Sequence, residues 1–245
     1  MCFLLWSCGE QARPEKQAPT NKKAPEESRD LATRARRHVE AQLGIPATET
    51  YGLQIFQAHL DDDGKEDAII AVNRLAFAME KAAKHPNPAK LAEIGFVGNY
   101  NLFFFYDAGL DQISPPFTVP SSPYMALEVS FVPITSSQYS DIQVTYRIRN
   151  SAYRAFYTIS NHNPERYFEW PVFDELGTAN AEAFAFDFIP NSANPRKNIR
   201  IYEAAIELPD TVTNFYVAQP KLIKKPTVVR EFFYLPAKQT YVTKK

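Results

Sequence analysis

The residues with the clearest chemical spacing lie in one short stretch, AHLDDDGKEDAIIAV at 58–72. His59, Asp61, Asp63, Lys65 and Asp67 recur at every second residue, with Gly64 between Asp63 and Lys65. A hard cation takes several oxygen ligands at about 2.3–2.6 Å, and alternate residues of a tightly turning loop can aim carboxylates into one centre if a glycine permits the turn. An acidic, glycine-containing turn between two strands also forms without any metal, so both readings stand at this point.

A second grouping, NHNPERYFEWPVFDE at 161–175, gathers Glu165, Glu169, Asp174 and Glu175 around Tyr167, Phe168 and Trp170. Paired carboxylates with flanking rings suit a glycosidase or a sugar-binding face, where one acid protonates or attacks and the rings stack on sugar. Tyr167 and Trp170 are the candidate ligand contacts. Aromatic residues in a strand more often serve core or cross-strand packing, and nothing in the spacing sets a carboxyl separation.

The acidic stretch resembles the calcium loop of FG-GAP and VCBS-type propeller repeats, in which an Asp-rich, Gly-containing loop joins two strands. That resemblance implies calcium as cofactor, with Asp61, Asp63 and Asp67 at the third, fifth and ninth loop positions and the carbonyl of Lys65 at the seventh. The first position departs from the family: it is His59, a nitrogen donor that calcium takes poorly. The motif occurs once, and a propeller needs roughly four to eight blades, so the loop is expected without that architecture.

The chain opens on MCFLLWSC, where an apolar run is followed by Ser7 and Cys8 and then at once by polar residues. This resembles the lipobox of bacterial lipoproteins, and the resemblance implies that Leu5, Trp6 and Ser7 are recognised and that Cys8 carries the lipid. Seven residues without Lys or Arg precede Cys8, where a secretory leader has roughly 15–30. Residues 9–25, GEQARPEKQAPTNKKAP, have three prolines and no apolar period, which predicts an extended tether. The expected location is therefore the bacterial cell envelope, on the outer membrane or its periplasmic face rather than in the cytoplasm.

Other chemistry lacks its residues. Cys2 and Cys8 are the only cysteines among 245 residues, so the body has no disulfide framework and no thiolate site. No HExxH, GxSxG, Walker A or GxGxxG sequence occurs, which removes the local geometry of zinc proteolysis, the serine-hydrolase elbow and nucleotide binding. His38, His59, His85 and His162 read as solvated or hydrogen-bonded side chains more readily than as bases. A net charge of -1 gives no general attraction for nucleic acid. Lysines and an arginine from Lys221 onward form a basic end, which suits either anionic headgroups near the anchor or a solvated rim that blunts sheet edges.

The elements that must hold these residues are legible from periodicity. Leu31, Ala35, Val39 and Leu43 recur every fourth residue and Gly44 with Pro46 ends the run, which predicts an amphipathic helix over 26–43. A hairpin is expected from 53–59 and 68–73 around the acidic turn, then a helix over 75–84 and a further turn over 88–94. From 99 onward the period becomes two, with strands expected at 102–106, 125–131, 142–148, 153–159, 184–188, 199–205 and 230–235. The fold class is mainly β, an antiparallel sandwich or curved sheet with one to three helices in the N-terminal third. The expected organisation is a leader at 1–7, the anchor and tether at 8–25, and one body over 26–245, with SPPFTVPSSP at 114–123 as a sub-boundary or a rigid crossing between strands. Functionally, these features point to a non-catalytic, lipid-anchored envelope protein that binds a protein or glycan partner. The alternative is an envelope hydrolase acting on glycans through unassigned carboxylates.

Overall fold

The computed structural model describes residues 31–87, 89, 97–192, 194–238 and 240–243. Cys8, its neighbouring leader residues and the expected tether lie outside the described residues, as does most of the expected turn at 88–94.

The chain is mainly β, and the described residues form two antiparallel sheets and two α-helices. Helix α1 (Leu31–Leu43) buries Ala35 and Val39 on one stripe. Gly44 ends it at φ +59, and the N–H of Ile45 donates to the carbonyl of Glu40 at 2.9 Å. That left-handed cap satisfies a carbonyl that the helix itself leaves open. Among the described residues no helix is long and apolar enough to cross a membrane.

The first sheet holds β1 (Gly52–Ala58), β2 (Asp67–Asn73) and β3 (Asn101–Asp107) in that order, with the short β4 (Gln112–Ile113) and β5 (Phe117–Thr118) both on the far side of β3. Between β2 and β3 runs α2 (Leu75–Ala83), entered at Arg74, whose guanidinium clasps Glu49 at 2.7 and 2.6 Å. Strand β2 is covered on both faces. Ile70 and Val72 meet α1 together with Leu102 and Phe104, while Ile69 and Ala71 meet the second sheet together with Phe103 and Phe105. This is why 68–72 reads as an unbroken apolar run rather than an alternating one.

The second sheet is an up-and-down meander of β6 (Glu128–Val132), β7 (Asp141–Ile148), β8 (Ser151–Ser160), β9 (Asn163–Asp174), β10 (Glu182–Asn191), β11 (Asn194–Glu207), β12 (Lys221–Leu235) and β13 (Thr240–Thr243). Strands β9 and β10 share only the pairs Glu182↔Asp174 and Ala183↔Phe173 before they diverge. The sheet therefore folds at that corner into two leaves. One face of the β6–β9 leaf presents Val129, Ile142, Val144 and Ala155 to the first sheet. Its other face presents Phe156 and Phe168 to Ile199, Ile201 and Tyr241 of the β10–β13 leaf.

Two local features differ from the sequence reading. The expected strand at 125–131 begins only at Glu128, because the N–H of Met125 closes a turn onto the carbonyl of Ser122 at 3.3 Å. The stretch 161–175, read as a cluster of acids and rings, is strand β9 with Asn161 and His162 as the two-residue turn before it. Both turn residues have positive φ, 49 and 62, the backbone that a tight hairpin demands. The 114–123 segment hydrogen-bonds along β3, the N–H of Val119 to the carbonyl of Asn101 at 3.0 Å, and then reaches β7 through the N–H of Ser122 to the carbonyl of Arg147 at 2.7 Å.

Candidate metal centre

The β1–β2 hairpin runs in continuous register from Gly52↔Asn73 to Ala58↔Asp67. Residues 59–66 therefore form a loop at one end of the first sheet. Strand β3 pairs with β2 as far as Ala68↔Tyr106, so Asp107 emerges beside Asp67 at that same end. Carboxylate oxygens of Asp61, Asp67 and Asp107 all lie within 4.8 Å of one another. Asp67 is fully buried and Asp107 nearly so.

Backbone N–H groups hold each acid in place. Leu60 and Ala108 donate to the two oxygens of Asp67 at 3.2 and 3.0 Å, and Leu110 donates to Asp107 Oδ1 at 2.8 Å. Asp61 accepts from the N–H of Asp63 at 3.0 Å, and Asp63 accepts from the N–H of Lys65 at 2.7 Å. Gly64 lies in this double turn at φ +75. A second glycine matters for a different reason. A Cβ on Gly109 would lie 2.2 Å from Asp63 Oδ2 and 3.0 Å from Asp107 Oδ1, so the missing side chain is the space into which Asp63 leans.

Two further residues of the expected ligand set, His59 and the carbonyl of Lys65, meet each other. His59 Nδ1 lies 2.8 Å from the carbonyl oxygen of Lys65; a carbonyl only accepts, so this ring nitrogen carries the proton. The imidazole thus braces the loop from outside the acid group. Lys65 Nζ reaches the carbonyls of Ala108 and Gly109 at 3.3 and 3.4 Å, tying the loop to the turn after β3. Across the sandwich, His162 Nδ1 sits 2.8 Å from Asp107 Oδ2, with its ring largely exposed while Asp107 is buried.

Electrostatics follow from this burial. Asp67 is pushed up from 3.8 to about 6, chiefly by desolvation, opposed by the N–H of Ala108 and raised further by Asp61 and Asp63. Asp61 is raised too, again by burial first, with Asp63 and Asp107 adding repulsion. Carboxylates this close resist ionising together unless a cation or a proton intervenes. All the donors are hard oxygens, and Gly109 leaves room for a fourth carboxylate. The residues therefore fit calcium, with Asp61, Asp67 and Asp107 as holders and Asp63 beside them. Asp107 escaped the sequence reading because it arrives through strand pairing, whereas His162, expected as a solvated or hydrogen-bonded side chain, is bonded to it from the turn before β9.

Tyr167 and Trp170 belong to the packing between the two leaves. Tyr167 stacks on Tyr241 at 5.6 Å, and Trp170 meets Phe184 and Phe232 edge-on at 6.1 and 5.4 Å. Trp170 also walls a groove of about 710 Å³ with Glu182, Glu203 and Lys225 along it. Of the acids near them, Glu169 accepts from the Tyr146 hydroxyl at 2.8 Å and from Arg166 at 2.7 Å, and Asp174 accepts from Ser151. In the basic segment, Lys221 pairs with Glu207, Lys224 with Asp187 and Lys225 with Glu203. Comparison with protein families, curated proteins and solved structures gives no match for this chain.

Proposed function

We propose that this chain is a non-catalytic, lipid-anchored module of the bacterial cell envelope, whose β-sandwich is fastened at one end by calcium and binds a protein or glycan partner. The observation that carries the reading is the convergence of Asp61, Asp67 and Asp107 within 4.8 Å, a hard-oxygen set drawn from two separate strands and the loop between β1 and β2. Calcium bound there supplies the positive charge that lets these carboxylates ionise together. Asp107 joins β3 to the loop, and Lys65 adds a second tie, so the expected effect of the ion is stability rather than turnover.

The test is a calcium titration with Asp107→Asn beside the parent protein. Calcium at about a hundredfold excess over its Kd should stabilise the parent by about 2.7 kcal/mol, read as a rise in melting temperature, and Asp107→Asn should lose most of that rise. Absence of binding heat and of any rise at millimolar calcium would remove the ion from the proposal. The anchor rests on Ser7 and Cys8 in the motif that resembles a lipobox. Labelled palmitate should enter the parent chain expressed in a bacterium and not Cys8→Ala; label that persists in the alanine variant would overturn the anchor.

A further inference from the structure

Far from the acidic loop, two desolvated guanidinium groups face a cavity beside the loop before β12. Arg147 and Arg154 stand in the adjacent pairs Arg147↔Ala152 and Thr145↔Arg154, so both project from one face of the β6–β9 leaf. Arg147 is 6% exposed. It donates to the carbonyls of Ala218 at 3.0 Å and Phe215 at 2.7 Å, and the Phe173 ring lies 4.5 Å away. Its Nε is buried without a hydrogen-bond partner. Arg154 donates to Thr145 Oγ1 at 3.1 Å and lies 5.1 Å from the Phe186 ring.

Carbonyl dipoles and ring faces soften the burial of a cation without neutralising it. Burial pulls Arg147 down to about 10 and lowers Arg154 as well, and the carboxylate that opposes both effects is the exposed Glu128. Among the described residues neither arginine is within ion-pair distance of an acid. The cavity between them measures about 380 Å³, inside the ~300–1,000 Å³ span of small-molecule sites. Glu128, Tyr146 and Gln219 also line it, and the rest of its wall is apolar, with Met125, Val172, Phe173, Pro220 and Leu222.

We propose that this cavity binds a small monocarboxylate with a short apolar chain, the carboxylate meeting the Arg154 and Arg147 end beside Thr145 and the chain lying along Val172, Phe173 and Leu222. A planar carboxylate suits the guanidinium fork. Inorganic phosphate suits the site less, because its second charge adds to the repulsion from Glu128, which a monocarboxylate meets only once. The site shares no residue with the acidic loop, so it is tested in EDTA, where the failure of one leaves the other standing.

The experiment is thermal unfolding of the full chain with hexanoate, phosphate or chloride at matched ionic strength. Hexanoate at about tenfold over its Kd should raise the melting temperature by about 3–6 °C, with phosphate no better than chloride. Arg154→Met should abolish that rise. Ala126→Trp, a change at an exposed position on the cavity mouth, should block the site and leave unliganded melting unchanged, which covers the case in which Arg154→Met fails to fold. No hexanoate rise, an equal rise with phosphate, or a rise kept in the tryptophan variant would overturn the proposal.

Discussion

Phe156→Ala is expected to lower the unfolding free energy by about 3–5 kcal/mol, the range for truncating a buried aromatic residue. Phe156 is 0% exposed and lies where the two leaves of the large sheet close on each other. Its ring meets Tyr167, Phe168, Phe186 and Phe188 with centroids 5.7–6.4 Å apart. The partners come from β9 and β10, which share only two residue pairs at their corner. Side-chain packing, rather than strand hydrogen bonding, therefore holds the leaves together there. Urea unfolding of parent and variant measures the loss; a cost below about 1 kcal/mol, the scale of a well-tolerated core swap, would mean that the leaves do not close on this residue.

The second large effect concerns pH. With calcium removed by EDTA, stability should fall as pH rises from about 4 to about 6. Asp67 has its ordinary value, 3.8, in the unfolded chain and about 6 in the folded one, so between those values only the folded state holds the proton. Below the window the carboxyl is neutral in both states and the contribution is fully present; above it, both are ionised and the contribution is lost. The loss is on the order of 3 kcal/mol, at about 1.4 kcal/mol for every tenfold change in proton affinity between the two states, and the raised Asp61 acts in the same direction. Asp67→Asn should flatten this part of the profile. At the proposed site calcium would compete with the proton for the same oxygens, so added calcium should restore stability at pH 7 and do little at pH 4. Equal calcium shifts at both pH values would remove Asp67 from the ligand set.

Local signals carried much of the fold into view. The four-residue period over 31–43 and the glycine after it mark α1 because side-chain burial and helix capping are decided within a few neighbouring residues. The acidic turn flanked by apolar runs marks the first hairpin for the same reason. Strand β9 is less legible. Its apolar and charged residues do not alternate cleanly, since one side carries Glu169, bonded to Tyr146 and Arg166, while the other packs Phe168 against Phe232 at 4.8 Å.

The acidic loop divides along the same line. By itself the sequence determined the turn, the glycine that permits it, the spacing of Asp61, Asp63 and Asp67, and the mismatch at His59. Tertiary structure alone decided that Asp107 completes the group, that Gly109 makes room for Asp63, that His59 braces a carbonyl, and that Arg147 and Arg154 share a cavity. The reason is physical: a turn is specified by the torsions of adjacent residues, whereas the distance between carboxylates on different strands is set by register, and register is set by burial across the whole sheet.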